Sequence, residues 1–447
     1  MAWAFRTLLA VIVMLSAACA STRDDNAWRA LEARSETALR ADPETRASPV
    51  AGDSQPVGPL TVDQITTAVV TNNRRIEAMR YALRAMVHMG PQQMSMPDPT
   101  LEVGLAPLVV HTGRGQRVSF RQPLPWPGTL GARGKVALED ALAMEHDLET
   151  MQRMLVAMAH MSFWELGAIA ELRALWHEHH QLVETLRKGL VGRFSAGRAR
   201  PQDVMRAEAE LIMADQQILQ VDRMERQAQS RLKVLMHRPP EAPLGQATWP
   251  DTVPPAPPDL ATLHAHAKAK RPELAAAEAR VRARAAAIES TERMNKPMLG
   301  LGVEVSTMAD DWMMWPMLMF MVELPLATTR RDAMEDEARA RHRQEQYTRD
   351  ALERELEGEV SERHADLVEA LASHQTLTTR LMPALDQRLA FSVAAYGAGQ
   401  EDFDAVLMAA ATLTEARLER VETKLRALSA ATQLDLAIGR LTAGASP

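Results

Sequence analysis

Hydrophobic positions between Gln202 and Met236 recur at a three-four spacing. Val204, Ala207, Leu211, Ala214, Ile218, Val221, Ala228, Leu232 and Leu235 hold the pattern, which breaks only at Glu225. A sustained seven-residue repeat predicts a helix packed in supercoiled fashion, and its alanines let neighbours approach closely. The stretch from Gly131 to Phe194 reads as a second, far longer helix. Thr61-x-x-Gln64 is a capping-box signal opening a helix expected to run to about Met89. Alternation takes over after it: Leu101, Val103 and Leu105 stand against Glu102 and Gly104, and RVSFRQPLP alternates again beyond the turn HTGRGQ. Period two on both sides of a Gly-rich turn predicts a β-hairpin over residues 99–125.

The whole arrangement then repeats. VGRFSAGRARPQDVMRAEAEL from Val191 matches VAAYGAGQEDFDAVLMAAATL from Val393, with Ala196, Gly197, Val204 and Leu211 opposite Ala398, Gly399, Val406 and Leu413. Each copy reads as a long helix, a tight turn closed by glycine in the left-handed region, and a returning helix. The first repeat covers 61–240, with its long helical hairpin at 131–238. A Pro-rich connector covers 241–258. The second repeat covers 259–441, with a β-hairpin at 297–326 and a helical hairpin at 333–439, and 442–447 is a tail. The expected class is mainly α with a small β part, four strands in all.

Lengths constrain the assembly. A helix from Gly131 to Phe194 would extend roughly 96 Å at 1.5 Å per residue, and the two shorter helices of the same repeat together match it. Each half therefore supplies two helical columns capped by a two-stranded hairpin. Strands of about nine residues can cross a tilted bilayer, but four cannot close a barrel and open edges are not tolerated in lipid. Several copies must share one barrel. Physics alone does not choose three over two or four.

Composition narrows the functional classes. The chain has 447 residues, 46% hydrophobic, and a formal net charge of −7. With no long basic run, nucleic acid is not an expected partner. MAWAFRTLLAVIVMLSAACAS reads as a signal peptide over residues 1–18, followed by a linker over 19–60. Cys19, the single cysteine, stands where a bacterial lipobox would place a lipidated first residue, although Ser16 occupies the position usually held by Leu. After that segment no uninterrupted apolar run reaches the ~20 residues of a spanning helix. No nucleophile-base set, phosphate loop or zinc motif is found, so neither an enzyme nor a cofactor is expected. His177, His179 and His180 lack a third ligand in reach and read as a solvated helix face.

These residues are recognisable together. Over about 60–441 the chain resembles the TolC family of outer-membrane efflux proteins. The resemblance is carried by LTVDQITTAVVTNN and its copy RPELAAAEARV, by QPLPWPGTLGARGKVA, by the turns RFSAG and AYGAG, and by the endings LKVLMHRP and LDLAIGRL. QPLPWPG looks most like the heavy-metal branch. The resemblance implies a homotrimer whose twelve strands form an outer-membrane barrel above a periplasmic helical tube. It also implies docking to a periplasmic adaptor and to an inner-membrane pump of the resistance-nodulation-division type. The chain would be a passive exit duct of a Gram-negative outer membrane, anchored through Cys19, for copper, silver or related cations. Organic toxicants are the alternative cargo and a periplasmic coiled-coil adaptor the alternative role. Adaptors carry one helical hairpin, and this chain has two.

Site residues follow from the same resemblance. Phe194, Ser195, Ala196 and Gly197, with Tyr396, Gly397, Ala398 and Gly399, would form the periplasmic tip and face the adaptor. Aspartates often narrow the pore of the family beyond the second turn, but Ala405 and Met408 stand at those positions here. Asp203, Glu401, Asp402 and Asp404 are the substitute candidates. Methionine is the compositional anomaly, at 27 residues. Alternation along the last strand turns Leu318, Phe320 and Val322 one way and Met317, Met319 and Met321 the other, towards the expected lumen. Thioethers there would be weak contacts for soft cations. Trp126, Trp312 and Trp315 suit an aromatic girdle.

Overall fold

The computed structural model describes residues 25–40, 58–105, 114–197, 199–308 and 314–441. The signal segment, Cys19, Trp312 and the tail lie outside them. In chain order the elements are α1 (Asp25–Arg40), α2 (Val62–Asn72), α3 (Arg74–Met94), β1 (Thr100–Leu105), β2 (Arg114–Leu124), α4 (Thr129–Ser195) and α5 (Pro201–Leu235). Then come α6 (Leu260–Lys270), α7 (Pro272–Met294), β3 (Met298–Met308), β4 (Met314–Glu323), α8 (Thr328–Thr376), a π turn (Leu377–Leu381), α9 (Met382–Gly397) and α10 (Phe403–Ala437). The protein is mainly helical with one small sheet.

Two compact units are present, and each draws on both sequence repeats. The first combines Met1–Asp42, Ala78–Leu148 and Pro272–Leu352; the second combines Pro43–Glu77, Glu149–Arg271 and Glu353–Pro447. Compactness therefore does not divide the chain where the duplication does.

In the first unit the two hairpins join as one antiparallel sheet in the order β1-β2-β3-β4. Register fixes its faces. Leu101 pairs with Phe120 and Val103 with Val118; Phe120 pairs with Val303, and Val303 with Leu318. Because side chains alternate, these apolar residues share one face. The other face carries Glu102, Arg117, Ser119, Arg121, Glu304 and Ser306, with Glu102 ion-paired to Arg117 and Arg121. The helices of this unit pack through small residues: Ala276, Ala279, Ala283 and Ala286 of α7 and Ala132, Ala141 and Ala143 of α4 are all buried. Trp28 and Leu31 bury α1 in the unit, and Arg34 holds Glu145 through two hydrogen bonds of 2.7 and 2.9 Å. Trp28 lies in the space above Gly90, which any Cβ there would fill.

In the second unit the seven-residue repeat of α5 buries Ala207, Ala214, Val221 and Ala228. Leu211, Ile218 and Leu235 are half-buried beside them. Val360 and Leu367 of α8 meet Leu263 of α6 and Leu434 of α10 in a separate cluster. The connector is pinned at Trp249, whose indole donates to Glu171 at 2.5 Å, while the Lys424 ammonium lies 4.7 Å over its ring.

Three departures from the sequence reading have local causes. The helix expected from Thr61 to Met89 is two helices: the capping box at Thr61 and Gln64 forms, but Asn73 takes an extended conformation, φ −70° and ψ 120°. Its side chain accepts from the Arg75 backbone and donates to the Leu235 carbonyl. Arg271, 198 residues on, breaks the second repeat with nearly the same angles, φ −77° and ψ 121°, because the following proline excludes α geometry. The long helix of the second repeat is interrupted by the π turn just before Pro383, a common way to absorb a proline. By length and composition a stretch of α4 would pass as membrane-crossing, which a search for uninterrupted apolar runs does not register. More than half of it is buried within the chain, the mark of a core helix.

His160 of α4 is hydrogen-bonded to Thr66 Oγ1 at 2.7 Å, and burial holds its imidazole below its ordinary value. The unfolded chain takes up that proton first as pH falls. Stability is therefore present above the ordinary histidine range and drains as pH falls through it. Melting followed from about pH 7.5 to about pH 5.5 should show a smaller fall in Tm for His160→Gln than for the unaltered protein. Parallel curves would exclude the effect.

Candidate functional site

Two groups of residues carry functional potential, one in each unit. In the second unit the chain reverses twice. At the end of α4 the Gly197 N–H donates to the Phe194 carbonyl at 2.9 Å; at the end of α9 the Gly399 N–H donates to the Tyr396 carbonyl at 3.1 Å and that of Gln400 to Ala395 at 2.9 Å. Gly197 and Gly399 have φ of 71° and 75°. Nothing lies within 4 Å of where their Cβ atoms would be, so it is the backbone angle, not space, that requires glycine.

The turns are fastened to each other from beneath. Leu190, Ala207 and Phe403 form a buried cluster with Val204 and Tyr396 around it. The Arg193 guanidinium lies 4.3 Å over the Tyr396 ring and its Nη1 donates to the Tyr396 carbonyl at 3.3 Å. Tyr396 meets Phe403 edge-on at 5.8 Å, and Arg206 pairs with Asp404 at 2.5 Å. Tyr396 is thus a half-buried fastener. Phe194, Ser195, Ala196, Gly197, Gly397, Ala398 and Gly399 are exposed.

The four acids divide. Asp203 accepts from the Arg200 backbone N–H at 3.3 Å, a helix-start role, and Asp404 is held by Arg206. Asp402 begins α10 without a side-chain capping bond, and both it and Glu401 are exposed. Sequence reasoning did not find Arg193 or Arg206, since neither has a counterpart in the other repeat.

The histidine triplet needs a correction. His179 is not on a solvated face but buried, with Nδ1 2.9 Å from Thr414 Oγ1 and Nε2 3.0 Å from Glu210 Oε1. It pins α4 to α5 and α10. His180 stays near the surface beside Asp215. Among the described residues no group of three His, Cys, Asp or Glu side chains could hold a metal.

In the first unit the sheet places Met317, Met319 and Met321 on its polar face, opposite Glu304, Gly302 and Gly300 of β3. Its apolar face stays largely open, with Leu105 72% and Phe320 75% exposed. Trp126 is also exposed, at the foot of β2.

Solved structures of outer-membrane channels share this arrangement of long helices with one four-stranded sheet. CusC, described through the conformational changes of its folding and transmembrane channel formation, matches with a TM-score of 0.73 at 16% identity, over 87% of this chain and 95% of that one. A membrane protein from Pseudomonas aeruginosa gives 0.73 at 19%, over 86% and 91%. The outer membrane protein VceC of Vibrio cholerae gives 0.71 at 15%, over 85% and 96%. No family model and no curated protein matches the sequence.

Arg193→Ala combined with Arg206→Ala should loosen the turns without unfolding the protein, since an exposed ion pair and a cation–π contact contribute about 1 kcal/mol each at most. Hydrogen exchange should quicken at residues 193–206 and 394–405 with the global melting temperature little changed. Unaltered exchange there would show that the two arginines fasten nothing.

Proposed function

We propose that the chain is the outer-membrane duct of a tripartite efflux system, working as a homotrimer with a periplasmic adaptor and an inner-membrane pump of the resistance-nodulation-division type. The observation that carries this is the sheet. Among the described residues it has two open edges, β1 and β4, and one exposed apolar face. Hydrocarbon can cover the face but cannot satisfy the edges, so further copies must supply the missing strands. Three copies would close twelve.

The helices support the same reading. Met205, Ile212 and Leu219 of α5 are exposed at seven-residue intervals, a second stripe besides the one this chain buries for itself. Helix α8 has 49 residues, of which Val360, Leu367 and Ala370 are buried. A helix so long and so little covered is a column waiting for neighbours. Cys19 would carry the lipid anchor. The exposed turns would meet the adaptor, with Phe194 as the apolar contact, and Glu401 and Asp402 would line the narrow end of the pore and favour cations.

Soft cations such as copper(I) and silver(I) are the cargo this composition favours, and the pump supplies the energy. Deletion of the gene should raise sensitivity to copper and silver salts and leave sensitivity to organic dyes unchanged, and the purified protein should give stepwise conductance in planar bilayers. Sensitivity to dyes alone would move the cargo to organic toxicants. Absence of conductance would count against a duct.

A further inference from the structure

We infer that the polar face of the sheet carries a thioether lane for a soft monovalent cation, built from Met298, Met321, Met319 and Met317, with Glu323 beside one end and Glu304 beside the other. This deepens the duct reading and rests on it, since the lane is a wall site only if the polar face bounds a passage. Alternation along β4 places three of the methionines. The fourth comes from register: Met298 of β3 pairs with Glu323, and Gly300, two residues on, pairs with Met321. Met298 therefore sits diagonally from Met321 on the same face, within reach of a long side chain.

The glycines of β3 are what turn a row into a lane. Gly300 and Gly302 stand opposite Met321 and Met319 and add no side chain of their own, although the Arg121 side chain also reaches over Gly302, its Cγ 3.0 Å from where a Cβ would be. The two methionine arms bend across these glycines: Met321 Cε is 3.2 Å from where a Cβ on Gly300 would be, and Met319 Cε is 3.4 Å from the equivalent point on Gly302. The ends of both arms thus lie over β3. Successive same-face positions on a strand lie about 6.6 Å apart, a spacing that two flexible thioether arms can close onto one shared ion.

Core filling does not explain this placement. The apolar face of the sheet is the opposite one, and Met298, Met317 and Met321 remain 39%, 42% and 42% exposed among Glu, Arg and Ser. Neutral, polarisable sulfur selects copper(I) or silver(I) over hard divalent ions. Glu323 on the same face supplies counter-charge at one end, while Glu304 opposite Met317 at the far end is ion-paired to Arg117 at 4.0 Å. With neutral ligands in series, binding is weak and repeated, which lets an ion step along without lodging.

The test uses the full-length protein in detergent and silver nitrate in chloride-free buffer as the probe. The unaltered protein should bind silver, and its potassium conductance in planar bilayers should fall when silver is added. Replacing Met298, Met317, Met319 and Met321 together by Leu, which keeps the volume, should weaken silver binding by roughly tenfold or more and abolish the block while leaving potassium conductance intact. A control with Met89, Met154 and Met213 replaced by Leu, all exposed on helices, should change neither. If the fourfold variant does not fold, Met321→Leu and Gly300→Ala, which crowds the Met321 arm, should each weaken binding singly. Silver binding that survives the strand substitutions, or is absent from the unaltered protein, overturns the lane. A protein that binds silver through these methionines yet conducts nothing would uphold the lane and overturn the duct.

Discussion

Each backbone N–H and C=O left unpaired in hydrocarbon costs several kcal/mol, and a sheet edge presents a row of them. Among the described residues the edge strands β1 and β4 have one neighbour each, and the face between them is largely apolar. Water is the wrong solvent for that face and lipid is the wrong solvent for those edges. On the proposed reading, closure by other copies satisfies both conditions. On that reading the covering of α8, the second stripe on α5 and the shape of the passage follow from the same closure.

The helical part obeys a gentler constraint. Small residues at the seven-residue positions of α5, Ala207, Ala214, Val221 and Ala228, and alanines along α7 let helices approach closely, and these contacts are many and individually small. The turns are more particular. Two glycines reverse the chain, and beneath them one arginine over one tyrosine and one ion pair hold the reversals together.

Much of this was legible in the residues. Alternation of Leu101, Val103 and Leu105 against Glu102 named a strand and its faces, and the seven-residue repeat from Val204 named a buried stripe, because both signals are periodic and local. The glycine turns were legible for the same reason. The break at Asn73 was not: its cause is a side chain reaching the Leu235 carbonyl, 162 residues away. His179 looked solvated because its partners, Glu210 and Thr414, lie on other helices. Of the candidate acids, Asp404 could not be told from Glu401 until Arg206 stood beside it. Met298 joined the other methionines only through the pairing of β3 with β4, which no pattern within one strand can supply.

Cross-linking between sheet edges addresses closure most directly. A cysteine in place of Val103 on β1 and another in place of Leu318 on β4, with Cys19 present throughout, would be oxidised in native outer membranes and resolved on denaturing gels. Both positions together should give covalent species that end at a closed oligomer of three chains, and either position alone should give none beyond the background from Cys19. Monomers only, from protein shown to be folded and inserted, would mean that the open edges find no second copy.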